Sequence, residues 1–148
     1  MVISLLALIH AAAGAMWLGA MGYSLFIVRP RLSRMFDDNP DRVEEAQQVL
    51  ASGNRWPTAA MIAVLWLSGI GLVATSEGGS TGWWLVVALK AALLAAATGL
   101  FWWVSWRGWP RRVFALPEEL PRLRRTFDLV ALAMVGLVGA SFAIGVLM

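Results

Sequence analysis

Apolar and polar positions alternate along this chain in long blocks. Four apolar stretches, residues 2–28, 56–75, 82–106 and 127–148, are separated by segments rich in arginine, proline and glycine. Crossing a hydrocarbon layer of about 30 Å takes roughly 20 helical residues, and each stretch is long enough. Only a helix satisfies every backbone amide within its own segment in lipid. The pattern therefore predicts an all-α fold, an integral membrane up-and-down four-helix bundle forming one domain over residues 1–148. Between the first two spans, "NPDRVEEAQQVLASG" predicts a short amphipathic helix capped by Asn39, with Pro40 in its first turn and Gly53 past its end. In the second arginine-bearing segment, Pro110, Pro117 and Pro121 are expected to break any long helix.

Composition agrees with a membrane class. Of 148 residues 59% are hydrophobic and 14% charged, and the mean hydropathy is +0.70, more than a soluble domain of this size needs. The absence of cysteine excludes disulfides, thiolate metal sites and thiol catalysis. A net charge of +3 could suggest nucleic acid in a soluble protein. Here the basic residues adjoin the apolar runs and read as topology signals, so the lipid bilayer is the expected partner and nucleic acid is not. Loop 29–55 holds five arginines and loop 107–126 six, whereas "SEGGST" has none. The positive-inside rule makes both loops cytoplasmic and both termini external, in a multi-pass protein of the plasma (inner) membrane. The first stretch lacks the basic n-region of a signal peptide. Tryptophans at both ends of the third stretch read as interfacial belts. Small-residue stripes are expected to bring helices together: Ala11, Ala15, Gly19 and Gly22 on the first, Ala88, Ala92, Ala95 and Gly99 on the third, and Gly136, Gly139, Ala140 and Ala143 on the fourth.

Two ionisable side chains interrupt the spans. His10, the single histidine, lies eight residues in from Val2, and Lys90 lies eight in from Gly82, so both should sit about 12 Å below the outer edge. Such groups are candidates for function because their burial in lipid is costly. If the first and third helices face each other, His10 and Lys90 are neighbours. Gly14 and Trp17 share the His10 face, the glycine leaving room for a flat ligand. One imidazole without cysteine does not close a metal site within one chain. Two His10 side chains in a homo-oligomer, or His10 as one axial haem ligand, remain open. Glu77 reads as a surface acid and Asp128 as a local partner of Arg124 and Arg125. No nucleophile, paired carboxylates or phosphate loop marks a catalytic residue.

The first span, "LIHAAAGAMWLGAMGYSLFIVRPRL", resembles the opening helix of the copper-resistance D (CopD-type) membrane family. His10, Trp17, Gly19, Val28 and Pro30 carry the likeness. "WWLVVALKAALLAAATGLFWW" and "LRRTFDLVALAMVGLVGASFAIGVL" resemble that family's third and closing helices. The resemblance implies copper uptake or tolerance at the plasma membrane, with copper bound by His10. More distantly the layout is similar to HemJ-type protoporphyrinogen oxidases, which implies haem b or a porphyrin held in the bundle near His10 and Lys90. "RWPTAAMIAVLWLSGIGL" resembles that family's second helix. The chain has no further histidine, and "RTFDL" matches the asparagine–glutamate of that family's last helix only loosely, which leans the reading away from an enzyme and leaves a non-catalytic membrane assembly subunit as a third reading.

Overall fold

The computed structural model describes residues 1–147, so Met148, the end of the fourth predicted span, lies outside the described residues. The helices are α1 (Val2–Met35), α2 (Pro40–Ala51), α3 (Arg55–Thr75), α4 (Thr81–Val113) and α5 (Leu120–Val146). All but α2 are long and apolar enough to cross a membrane. Among the described residues there is no strand. The chain is a multi-pass, all-helical membrane protein.

Two spans run further than the apolar pattern predicts. α1 continues past Val28 to Met35 and α4 continues past Trp106 to Val113, although Pro30 and Pro110 lie within those extensions. A proline lacks an N–H and its ring collides with the carbonyl four residues back. In both helices the residues just before the proline, Ser24–Val28 and Val104–Gly108, wind as π-helix. That wider turn moves the carbonyls aside and lets the helix continue. Pro110 therefore does not break its helix. Arg29, Arg31, Arg34, Arg107, Arg111 and Arg112 stand on helical extensions rather than in loops.

α2 begins as its sequence predicts. The Asn39 side-chain oxygen accepts hydrogen bonds from the backbone N–H groups of Asp41 and Arg42, at 3.1 and 3.2 Å. Gly53 adopts φ +82° beyond its end, a conformation open to glycine without cost. The turn from α1 into α2 is made by Asp37 and Asp38 in the left-handed region, which short polar side chains tolerate.

α1 packs against α3 and α5, and α4 packs against α5. A hydrogen bond from Trp66 Nε1 to Thr98 Oγ1, 3.2 Å, ties α3 to α4. The spans thus form a ring in which α1 and α4 stand diagonally, not face to face. Ala13 and Trp17 of α1, Ile62 and Leu65 of α3, Ala97 of α4, and Met134 and Val138 of α5 make the core. Trp17 is only 2% exposed. It decides which face of α1 turns inward, and Ala13 and Gly14, one turn earlier on that face, follow it. The expected stripes turn the other way. Ala11, Ala15, Gly19, Ala88, Ala92, Ala95 and Gly99 are exposed, and a Cβ added at Gly19, Gly22, Gly99 or Gly136 would meet nothing within 4 Å. Only Gly139 approaches another helix, through Leu18. Small apolar residues face lipid at little cost, so a stripe alone does not fix the packing face.

Candidate functional site

His10 on α1 and Lys90 on α4 each lie fourteen residues before the π-helical segment of their own helix. At ~1.5 Å per residue, both stand about 21 Å along the axis from those segments. Each helix thus carries its ionisable side chain at the same distance from its own π-helical segment. The side chains, however, engage different neighbours.

The half-buried His10 ring packs on α3. Its Nδ1 lies 2.9 Å from Ser68 Oγ. Ser68 is buried, and its hydroxyl hydrogen is directed at the Val64 carbonyl, 2.6 Å away, a bond to the preceding turn typical of serine in helices. A hydroxyl has one hydrogen, so Ser68 Oγ accepts and His10 Nδ1–H donates. Nε2 is left as the nitrogen with the free lone pair. Gly69 makes the approach possible, since a Cβ there would lie 3.3 Å from His10 Cε1.

Lys90 leans on α5: a Cβ at Gly145 would lie 2.6 Å from its Nζ. Among the described residues no carboxylate is within ion-pair distance of Lys90. Gly14 and Trp17 do not flank this pair as an open slot. The space over Gly14 is filled, since a Cβ there would meet Phe142 at 3.5 Å and Leu65 at 3.8 Å. No flat ligand fits on that glycine. Trp17 belongs to the core and lines a cavity nearer the arginine-rich end. That cavity, about 520 Å³, is bordered in its apolar part by Trp17, Met21, Met61, Phe101 and Met134. Among the described residues no three His, Cys, Asp or Glu side chains cluster as a metal site.

The acids are arranged differently from expectation. Glu77 is exposed in the turn before α4. Asp128 pairs with Arg29 of α1, not with Arg124 or Arg125 of its own helix. Continuation of the helix past Val28 is what carries Arg29 to it. Glu44 of α2, which sequence reasoning passed over, is the best-connected acid of the molecule. It is 6% exposed. It accepts from Arg112 Nε at 2.6 Å, Arg112 Nη2 at 2.9 Å, Arg124 Nε at 2.9 Å and Gln48 Nε2 at 3.3 Å. Burial alone would raise its pKa, but the two guanidiniums outweigh burial and hold the carboxyl at about 2. The cluster clamps α2 to α4 and α5.

The sequence carries one further signal of this arrangement: His10 and Pro30, and Lys90 and Pro110, are each twenty residues apart. Comparison of the chain with family models, with curated proteins and with solved structures gives no match.

Proposed function

We propose that this protein handles copper at the plasma membrane, in uptake or tolerance, with His10 as the residue that meets the metal. The hydrogen bond from His10 Nδ1 to Ser68 carries this reading. A metal-binding imidazole typically gives its other ring N–H to a fixed acceptor, which sets ring orientation and leaves Nε2 as the donor. The likeness of the first span to the CopD-type opening helix supplies the choice of metal. One imidazole is an incomplete set, so the remaining donors come from outside the chain, most simply a second copy's His10 in a homo-oligomer. With the arginine-rich end cytoplasmic and the termini external, His10 lies in the outer half of the membrane and copper reaches it from outside.

The test is copper content per chain after purification in detergent, with copper tolerance of cells making the same variants. His10→Ala should lose the bound copper and alter tolerance. Equal copper content and tolerance in His10→Ala and wild type would refute the proposal. A second reading, a HemJ-like haem or porphyrin protein, is favoured by Lys90. Lys90 has no carboxylate partner among the described residues, which disfavours a bare cation and suits an anionic group such as a porphyrin carboxylate. The filled space over Gly14 limits such a group to the edge of the bundle near His10 and Lys90. A Soret band that disappears in His10→Ala would select this second reading.

A further inference from the structure

We infer that the cavity at the arginine-rich end binds one anionic lipid, its headgroup at Arg55 and its acyl chain running toward Trp17. The inference is independent of what His10 binds. The cavity measures about 520 Å³, within the range of about 300–1,000 Å³ of small-ligand sites. All five helices border it, as do residues 52–54 after α2. An occupant therefore touches every helix of the bundle and not only the outer face of one.

Charge identifies the head. Three arginines border the cavity. Arg29 is neutralised by Asp128 and Arg112 by Glu44. Arg55 has no carboxylate partner among the described residues. Its guanidinium donates to the Ser105 carbonyl and lies over the Trp106 ring, 4.9 Å from the centroid, which leaves its charge unbalanced. Arg55 also opens α3, whose first turn has no side-chain cap. The Asn54 amide that could have served is turned to the Leu50 carbonyl, 3.2 Å away, and Pro57 has no N–H. The amides of Arg55 and Trp56 thus add their dipoles to the guanidinium at the same corner of the cavity.

Depth identifies the tail. Trp102, Trp106 and Trp109 mark the headgroup level at this end of α4. Arg55 reaches that level through Trp106. Beyond it the walls are Met21, Met61, Phe101, Met134 and finally Trp17, an apolar sleeve at hydrocarbon depth. Flexible thioethers suit a chain without fixed shape. A water-soluble anion would use the corner and leave the sleeve unfilled. A neutral lipid would fill the sleeve and leave Arg55 unmatched. Only an anionic lipid answers both.

The experiment is native mass spectrometry of the full chain in a neutral detergent. The protein is first equilibrated with phosphatidylglycerol or phosphatidylcholine of identical acyl chains, then washed. One phosphatidylglycerol per chain should be retained, in at least about tenfold preference to phosphatidylcholine, the scale of one charge-assisted contact. Arg55→Gln should erase the preference, and Arg31→Gln, outside the cavity, should not. Because Arg55 also ties α3 to α4, a second variant, Ala131→Phe, fills the cavity from α5 and should abolish retention while the far-ultraviolet circular dichroism stays helical. Equal retention of both lipids, no retention by wild type, retention by Ala131→Phe, or displacement of the lipid by inorganic phosphate would each overturn the inference.

Discussion

Replacing Glu44 with glutamine removes one negative charge from between two guanidiniums and keeps the volume. Holding the carboxyl at about 2 rather than its ordinary 4.5 corresponds to about 3 kcal/mol of folded-state stabilisation. Water reaches the cluster along Arg124, whose side chain is 28% exposed, and screening there reduces the figure to about 2 kcal/mol. The variant also leaves Arg112, 5% exposed, without a counter-charge. Breaking a buried pair from one side costs about 3–5 kcal/mol. The two figures describe overlapping consequences of one change, so the expected loss near pH 7 is about 3 kcal/mol rather than their sum. Titration with a denaturing detergent, followed by tryptophan fluorescence, gives the unfolding free energy. The pH dependence has a definite sign. The folded-state pKa lies below the unfolded one, so the contribution is complete above about pH 4.5 and is lost as pH falls toward 2. Wild type should weaken through that window, and Glu44→Gln should lack that component. A variant within about 0.5 kcal/mol of wild type at neutral pH, the range of ordinary surface substitutions, would refute the reasoning. So would a variant whose acid profile follows that of wild type.

Ser68→Ala removes the acceptor of His10 Nδ1–H and should cost about 1 kcal/mol. Nitrogen NMR of the imidazole should then show the proton distributed over both ring nitrogens; an unchanged spectrum would mean that Ser68 does not fix the tautomer. Gly14→Leu should drive into Phe142 and Leu65 and destabilise the bundle by about 1–3 kcal/mol. Gly19→Leu, on the same helix but with open space around it, should stay within about 0.5 kcal/mol of wild type in the same detergent titration.

How much of this was legible without coordinates depended on how local the cause was. The four spans follow from apolar length, and the start of α2 follows from Asn39 and Pro40, whose effects reach three residues at most. The inward face of α1 did not follow. Its residues are apolar all round, so no amphipathic signal separates the Trp17 face from the Gly19 face. Packing volume chose between them. Continuation through Pro30 and Pro110 was likewise hidden, since a proline in sequence reads as a stop and the compensating π-turn lies in the residues before it. Glu44 was hidden by distance. Its partners Arg112 and Arg124 stand 68 and 80 residues away, and only the fold brings them to α2.

The same two π-turns connect the polar level to the cavity. In α1 the order is an ionisable side chain, fourteen residues of helix, a π-turn and a proline, and α4 repeats it with the same spacing. Each ionisable group leans on a glycine of the neighbouring span, His10 on Gly69 of α3 and Lys90 on Gly145 of α5. α1 packs on α3 and α4 on α5, and in each pair an ionisable side chain meets a glycine of the partner helix. Residues of both π-turns, Ser24 and Leu25 on one side and Val104 and Ser105 on the other, border the cavity. A π-turn is wider than an α-turn and displaces the following turn sideways. Both π-turns stand at the arginine-rich end of the cavity, and the buried Trp17 lines it nearer the middle of the bundle. A lysine placed merely to reach headgroups would have no need to repeat the histidine's spacing from a proline. The repetition gives Lys90 the same place relative to its π-turn and proline that His10 holds in its own helix.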